Sequence, residues 1–258
     1  MNASIAIPAD GAWFEGHFPG RPILPGVAVL ALVLDTLARE SRNPVSLRGI
    51  VFTRLRQLVL PGDRLELATR ELGNGHTRFD LRREGALVAN GELILGHPDQ
   101  PRPLLAAVAA MADPVDAPPL DTLLPQRPPM RLLTAILSAT ADGLSCAAAI
   151  PSACALVRDG SAPALVGLEA AAQAAAAWEA MRRWRAGADA APRIGYLVAL
   201  RDVVFFAERV VAELALSISV PSFLQGKIKD GAEEFAKAMG YKEITCDVLE
   251  EAKGEIGG

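Results

Sequence analysis

The stretch Gly16-His17-Phe18-Pro19-Gly20-Arg21-Pro22-Ile23-Leu24-Pro25-Gly26 decides the fold, because it leads directly into an apolar helix predicted for residues 27–39. Its three prolines and three glycines favour a single loop conformation, since proline fixes φ and glycine permits positive φ. The loop presents His17, a base that titrates near neutral pH, beside helix N–H groups that lack intrahelical partners. This pairing suits removal of a proton next to a carbonyl group. The helix is apolar on all faces, so we expect it to be buried.

This loop closely resembles the active-site loop of the hot-dog-fold 3-hydroxyacyl-acyl-carrier-protein dehydratases, which reads His-Phe-Pro-Gly-x-Pro-x-x-Pro-Gly. The resemblance implies a curved antiparallel sheet wrapped around one central helix, with His17 as the general base. At the start of that helix, the backbone N–H of Gly26 can stabilise a developing enolate oxygen. The loop residues expected to contact the substrate are Phe18, Pro19, Gly20 and Pro25.

The helix departs from the family pattern at the acid position. Family members carry Glu or Asp fourteen residues after the histidine, and this chain has Ala31 there. Asp35 shares the same helix face but lies one turn further along. The first half therefore has the base and lacks the usual acid.

The second half carries two further stretches that resemble this family. Residues 123–133 read Leu-Leu-Pro-Gln-Arg-Pro-Pro-Met-Arg-Leu-Leu, and the family segment is usually Leu-Pro-His-Arg-Pro-Pro-Met. Residues 162–173 open an alanine-rich helix and resemble the family's central helix, Leu-Glu-Ala-Met-Ala-Gln. They place Glu169 on an otherwise apolar helix. A carboxylate there is either solvated, destabilising or functional, and we interpret it as functional.

The two halves can be aligned on the proline that precedes each helix. On this register Glu169 falls opposite Ala31, and Ala155 falls opposite His17. The resemblance also implies that Gln173, one turn after the acid, contacts the substrate. Because each half keeps one of the two catalytic groups, a pseudo-dimer within one chain would have one complete site and one inactive site. This arrangement resembles the paired dehydratases of aryl-polyene-type polyketide clusters.

The resemblance implies dehydration of a 3-hydroxyacyl thioester to the trans-2-enoyl thioester, with His17 as base and protonated Glu169 as acid. The implied partner is an acyl carrier protein bearing 3-hydroxyacyl-phosphopantetheine, and neither a cofactor nor a metal is expected. A hot-dog thioesterase, a non-catalytic carrier-binding module and a damaged or chimeric chain are the alternatives. The arginines expected to receive the acidic carrier and its arm are Arg21, Arg54, Arg56, and either Arg193 or Arg201.

Composition limits the class of protein. The 258 residues are 51% hydrophobic, enough for two modest cores, and the net charge of −4 does not favour nucleic-acid binding. We expect no signal sequence and no membrane span, because the start of the chain has neither a basic region nor a long apolar run. The three cysteines are too scattered for a disulfide framework, which favours a reduced, cytoplasmic protein. Further oligomerisation remains open.

These features predict an α+β double hot-dog with a short C-terminal helical tail. The predicted parts are a hot-dog domain with the histidine loop, a linker, a second and incomplete hot-dog domain, and the tail, at residues 1–97, 98–119, 120–219 and 220–258. Strands in the first domain are predicted at residues 47–58, 64–72, 76–83 and 87–95. The second domain is predicted to contain a helix at residues 164–186 and strands at 131–139, 144–150, 193–200 and 203–208. Only residues 210–220 remain to supply one further strand, so its sheet is expected to be incomplete.

The tail differs in composition from the rest of the chain. All five lysines follow residue 220, and all 21 arginines precede it. Two short helices are predicted, at residues 227–239 and 245–253. The tail resembles the small C-terminal domain of a light-independent protochlorophyllide reductase subunit, so we expect a foreign segment that the chemistry does not need.

Overall fold

The computed structural model describes residues 1–41, 45–96, 115–140, 143–188, 191–213 and 216–221. The first half contains a strand, a long helix and four further strands. In chain order these elements are β1 (Asn2–Ala6), α1 (Gly26–Ser41), β2 (Ser46–Leu55), β3 (Arg64–Gly73), β4 (His76–Arg83) and β5 (Ala86–Gly96). The predicted helix and four strands are confirmed, although β2 ends before residue 58. The sequence analysis missed β1.

The central helix α1 is buried as its apolar sequence predicts. Val27 and Val33 are completely inaccessible to solvent, and Leu30 is 1% exposed. Burial of each such side chain is worth about 1.5–3 kcal/mol, which makes this helix a main contributor to the core. Asp35 lies on its exposed face.

The second half repeats the order of strand, helix and strand. Its elements are α2 (Leu120–Leu123), β6 (Leu133–Thr140), β7 (Gly143–Ala148), β8 (Ser161–Pro163), α3 (Val166–Arg185), β9 (Ala199–Val204), β10 (Arg209–Val211) and β11 (Leu216–Pro221). The sequence predicted β6, β7 and α3. It missed α2 and the short strand β8, and it predicted only one further strand where β10 and β11 lie. The proposed tail helices lie outside the described residues.

A strand of the second half joins the two halves. The first sheet has the order β1-β3-β4-β5-β2-β9, and β9 pairs antiparallel with β2, with Leu200 opposite Thr53 and Val203 opposite Ile50. The prediction of separate strands at residues 193–200 and 203–208 is therefore wrong. Residues 193–198 are not in a strand, and β9 spans the expected break. Its register is set by pairing with the other half, which local sequence does not report.

The remaining strands form two small sheets. One has the order β11-β7-β6 and packs on α3, and the other pairs β10 with β8. The helices α1 and α3 also contact each other. Two antiparallel sheets that each cover a central helix confirm the predicted α+β double hot-dog. Within the described ranges, no helix has the length and apolar character that crossing a membrane would require.

Candidate active site

His17 is held in one orientation by its own loop. The residue is 6% exposed, and its Nδ1 lies 2.8 Å from the backbone oxygen of Ile23. A carbonyl oxygen only accepts hydrogen bonds, so Nδ1 carries the proton in the neutral ring. Nε2 is then left with the lone pair that a general base needs. The ring also packs against Phe18, with 4.1 Å between centroids.

The loop docks on the second half through Gly16. The backbone oxygen of Gly16 accepts a hydrogen bond of 2.8 Å from the N–H of Arg127. Gly16 has a φ of +73°, and a Cβ at this position would overlap the Arg127 carbonyl group. Glycine is required here both by its backbone conformation and by the close approach of the other half. The contact fixes His17 relative to the residues that follow α2.

Gly26 begins α1, so its N–H has no partner within the helix. A Cβ on Gly26 would come within 2.6 Å of Leu55 Cδ1, so the position favours glycine. This half-buried helix terminus is where the sequence analysis expected the backbone donor.

Glu169 is on the first turn of α3 and is 5% exposed. Its Oε1 accepts a hydrogen bond of 3.0 Å from Nε2 of Gln173, one turn along the helix. The Gln173 amide is itself fixed, because Nε2 also donates to the Met130 oxygen at 2.7 Å and Oε1 accepts from the Leu132 N–H at 2.8 Å. Gln173 therefore orients the acid rather than facing open space.

Both predicted catalytic side chains line a single cavity of about 500 Å³. His17 and Gly26 come from the first half, and Glu169 comes from the second. Most of the remaining lining is apolar, at Ile23, Leu24, Val29, Leu55, Leu58, Val59, Val88, Pro125, Ala172, Ala175, Ala176, Ile194 and Leu197. A largely apolar cavity with a few converging polar groups suits an acyl chain with one reactive end.

The residues predicted to contact substrate lie elsewhere. The loop turns Pro19 and Gly20 outward to solvent, while Phe18 and Pro25 are buried and do not line the cavity. Gln173 is inaccessible and contacts Glu169 and backbone groups. Of the five candidate arginines, Arg193 alone is among the residues that line this cavity.

The sequence analysis missed several polar residues of the cavity, among them Tyr196, Gln126, Glu179 and Arg183. Tyr196 lines the cavity and contacts Phe18 edge to face, with 6.1 Å between centroids. It lies in a segment predicted as a strand, where no sequence signal marks a site. Gln126 also lines the cavity. It stands where the quoted family segment has histidine, and that departure was a usable signal.

Burial raises the pKa of both cysteine thiols in the described part of the chain. Cys146 and Cys154 are buried and free, and burial raises the pKa of Cys146 to about 12. Burial also raises the pKa of Cys154, and the negative charge of Glu169 raises it further. Neither thiol is therefore a ready nucleophile. His17 and Glu169 are the buried ionisable side chains of the cavity lining, whereas Glu179, Arg183 and Arg193, which also line it, are half-buried or exposed.

Comparison with known proteins agrees with this two-part site. The ApeI dehydratase model matches residues 1–92, and the ApeP dehydratase model matches residues 118–245. The FabZ 3-hydroxyacyl-acyl-carrier-protein dehydratase of Chloroflexus aggregans is 31% identical over 106 residues, covering 36% of this chain and 72% of the relative. The chain belongs to the 3-hydroxyacyl-acyl-carrier-protein dehydratase family.

This dehydratase-family chain spans about three fifths of the length of other curated relatives that it matches. The FabZ dehydratase of Sorangium cellulosum is 38% identical over 96 residues, covering 32% of this chain and 61% of the relative. The resemblance drawn from the two motifs is confirmed. The ApeP match runs to residue 245, beyond the predicted end of the second domain.

Solved structures confirm the fold of this dehydratase-family chain. The dehydratase domain of the polyketide PpsC from Mycobacterium tuberculosis has a TM-score of 0.55 at 14% identity, covering 85% of each chain. The bifunctional dehydratase-cyclase domain in ambruticin biosynthesis has a TM-score of 0.52 at 20% identity, covering 85% of this chain and 78% of that chain.

The positions that align with His17 and Glu169 in the opposite halves of the chain carry no reactive side chain. Ala31 and Ala155 are buried at 4% and 8% exposure, and neither lines the described cavity. Asp35 is exposed and points away from the core. The helix carboxylate in the first half therefore does not replace Glu169.

Proposed function

We propose that this chain dehydrates a 3-hydroxyacyl thioester, carried by an acyl carrier protein, to the trans-2-enoyl thioester. The observation that carries the proposal is the convergence of His17 and Glu169, from different halves of one chain, on one apolar cavity. Membership of the dehydratase family supports elimination over thioester hydrolysis. The tandem order of the ApeI-like and ApeP-like matches favours an acyl chain of the aryl-polyene type.

The chemistry follows from the hydrogen bonds at the site. His17 Nε2 removes a proton from Cα, and the electron pair moves toward the thioester carbonyl. The N–H of Gly26 stabilises the resulting enolate oxygen, a contribution of about 3 kcal/mol for one such donor. The C3–O bond then breaks, and protonated Glu169 gives its proton to the departing hydroxyl, which leaves as water. Return of the proton from His17 to Glu169 restores the site.

The cavity also has a cationic side that suits the carrier arm. Arg193 lies at the cavity and is exposed, and Arg183 lines the same region, where it forms an ion pair with Glu179. We assign Arg193 to the phosphate of the phosphopantetheine arm, since a cation at the entrance attracts an acidic carrier protein. A reducing, cytoplasmic setting is consistent with the free thiols of Cys146 and Cys154.

The test is incubation with a 3-hydroxyacyl-carrier protein and measurement of its intact mass. The wild type should remove the mass of one water molecule. His17→Ala and Glu169→Gln should each slow this step by about a hundredfold or more, as for a positioned base or acid. Asp35→Asn is the matched control, because the same carboxylate-to-amide change on an exposed helix face should leave the rate unchanged. Release of free acid instead of enoyl product would contradict dehydration and indicate hydrolysis.

A further inference from the structure

Gln126 is a polar residue of the cavity that the proposed mechanism does not use. It lies between α2 and β6, is 7% exposed and lines the cavity with His17 and Glu169. The backbone of the next residue, Arg127, is hydrogen-bonded to Gly16. Gln126 is therefore held beside the histidine loop by a contact between the two halves.

The side-chain oxygen of Gln126 differs from those of two other glutamines near this site. Gln57 Oε1 accepts a hydrogen bond of 2.9 Å from Arg83, and Gln173 Oε1 accepts from backbone N–H groups. Gln126 Oε1 is buried and receives no hydrogen bond from the described parts of the chain. A buried acceptor without a donor is unfavourable, so a ligand that brings a donor to this oxygen gains affinity.

The chemistry of the substrate limits what that donor is. Near its reacting carbons, a 3-hydroxyacyl thioester has a carbonyl oxygen and a sulfur, which only accept, and one hydroxyl, which donates. The 2-enoyl product and a saturated acyl thioester lack this hydroxyl. An unpaired acceptor beside the base and the acid is thus complementary to the substrate and not to its product.

We propose that Gln126 Oε1 accepts a hydrogen bond from the C3 hydroxyl of the substrate, and that this contact selects the 3-hydroxyacyl thioester over thioesters without the hydroxyl. The inference rests on the function proposed above. Gln126 is a specificity-determining residue, since its amide transfers no proton. It holds the hydroxyl before Glu169 protonates it, and the contact is lost when water leaves, which favours product release.

The test measures ligand binding separately from turnover. In a Glu169→Gln background, which blocks turnover, dissociation constants are measured for a 3-hydroxyacyl thioester and for the saturated thioester of equal length. The hydroxyl should tighten binding about tenfold, as expected for one hydrogen bond to a buried acceptor. Gln126→Met keeps the length of the side chain and removes the amide, so it should abolish that ratio. Gln126→Glu keeps an acceptor oxygen and should retain a preference for the hydroxyl.

The control is Gln57→Met, which removes a second amide that lines the cavity but whose oxygen is already paired with Arg83, so it should leave the ratio intact. The same two dissociation constants are also measured in a His17→Ala background, with and without Gln126→Met. The proposal is overturned if Gln126→Met retains the tenfold ratio in either background. If neither thioester binds and the wild type removes no water, the proposed function itself has failed. Circular dichroism of each variant confirms that it is folded.

Discussion

Replacement of Gln173 by methionine tests the internal hydrogen bonds that position the acid. The substitution preserves side-chain length but removes the partners of the Met130 oxygen and the Leu132 N–H, and it removes one donor to Glu169. Each buried backbone group left unpaired costs about 1–3 kcal/mol, so the two together cost about 2–6 kcal/mol. The greater apolar character of methionine offsets about 1 kcal/mol. We therefore expect Gln173→Met to lower the free energy of unfolding by about 1–5 kcal/mol.

Urea unfolding followed by circular dichroism measures this change. With a slope of about 2 kcal/mol per molar urea, the midpoint should fall by about 0.5–2.5 M. The control Gln57→Met removes an exposed amide and should change the free energy of unfolding by less than about 0.5 kcal/mol. If the Gln173→Met variant unfolds at the wild-type midpoint, the amide does not organise this part of the core. The reasoning about Glu169 would then be refuted.

Two further substitutions test other parts of the fold. Gly16→Ala should lower stability by more than Gly20→Ala. Both glycines have positive φ, but only a Cβ at residue 16 would lie against the Arg127 backbone. Thermal unfolding of both variants measures the difference. The hydrogen bond with His76, together with Arg78, lowers the pKa of Glu92. The ionised Glu92 side chain therefore contributes its full stabilisation above the unfolded-state pKa, and this stabilisation is lost as pH falls through the lower folded-state pKa. Glu92→Gln should therefore cost up to about 1 kcal/mol at neutral pH, and this difference should vanish in acid; a constant difference down to low pH would contradict the assignment.

The sequence predicted those parts of the fold that are encoded locally. The helix predicted for residues 27–39 is α1 (Gly26–Ser41), and that predicted for residues 164–186 is α3 (Val166–Arg185). The strand-like stretches of the first half likewise match β2 to β5, although β1 was missed. The strand β9 was misplaced because it is defined by pairing with β2 in the other half, a contact distant in sequence.

The same distinction applies to the site. The motifs identified His17 and Glu169, because complementary loss of base and acid is visible in an alignment of the two halves. A motif does not specify which side chains of its loop face inward, so the solvent-facing Pro19 was indistinguishable from a lining residue. Tyr196 reaches the cavity through the packing of one half on the other, which no local pattern reports, whereas Gln126 was marked in the sequence by its departure from the family histidine.

The central claim is that His17 and Glu169 of the same chain form one site, and mixing two inactive variants tests it most directly. His17→Ala and Glu169→Gln are combined in equal amounts, and the intact mass of a 3-hydroxyacyl-carrier protein is followed for loss of water. Each variant lacks either the proposed base or the proposed acid, which line one cavity within a single chain, so the mixture should be no more active than the two variants measured separately. Recovery of a substantial share of wild-type activity on mixing would show that the base and acid come from different chains, and would contradict the account.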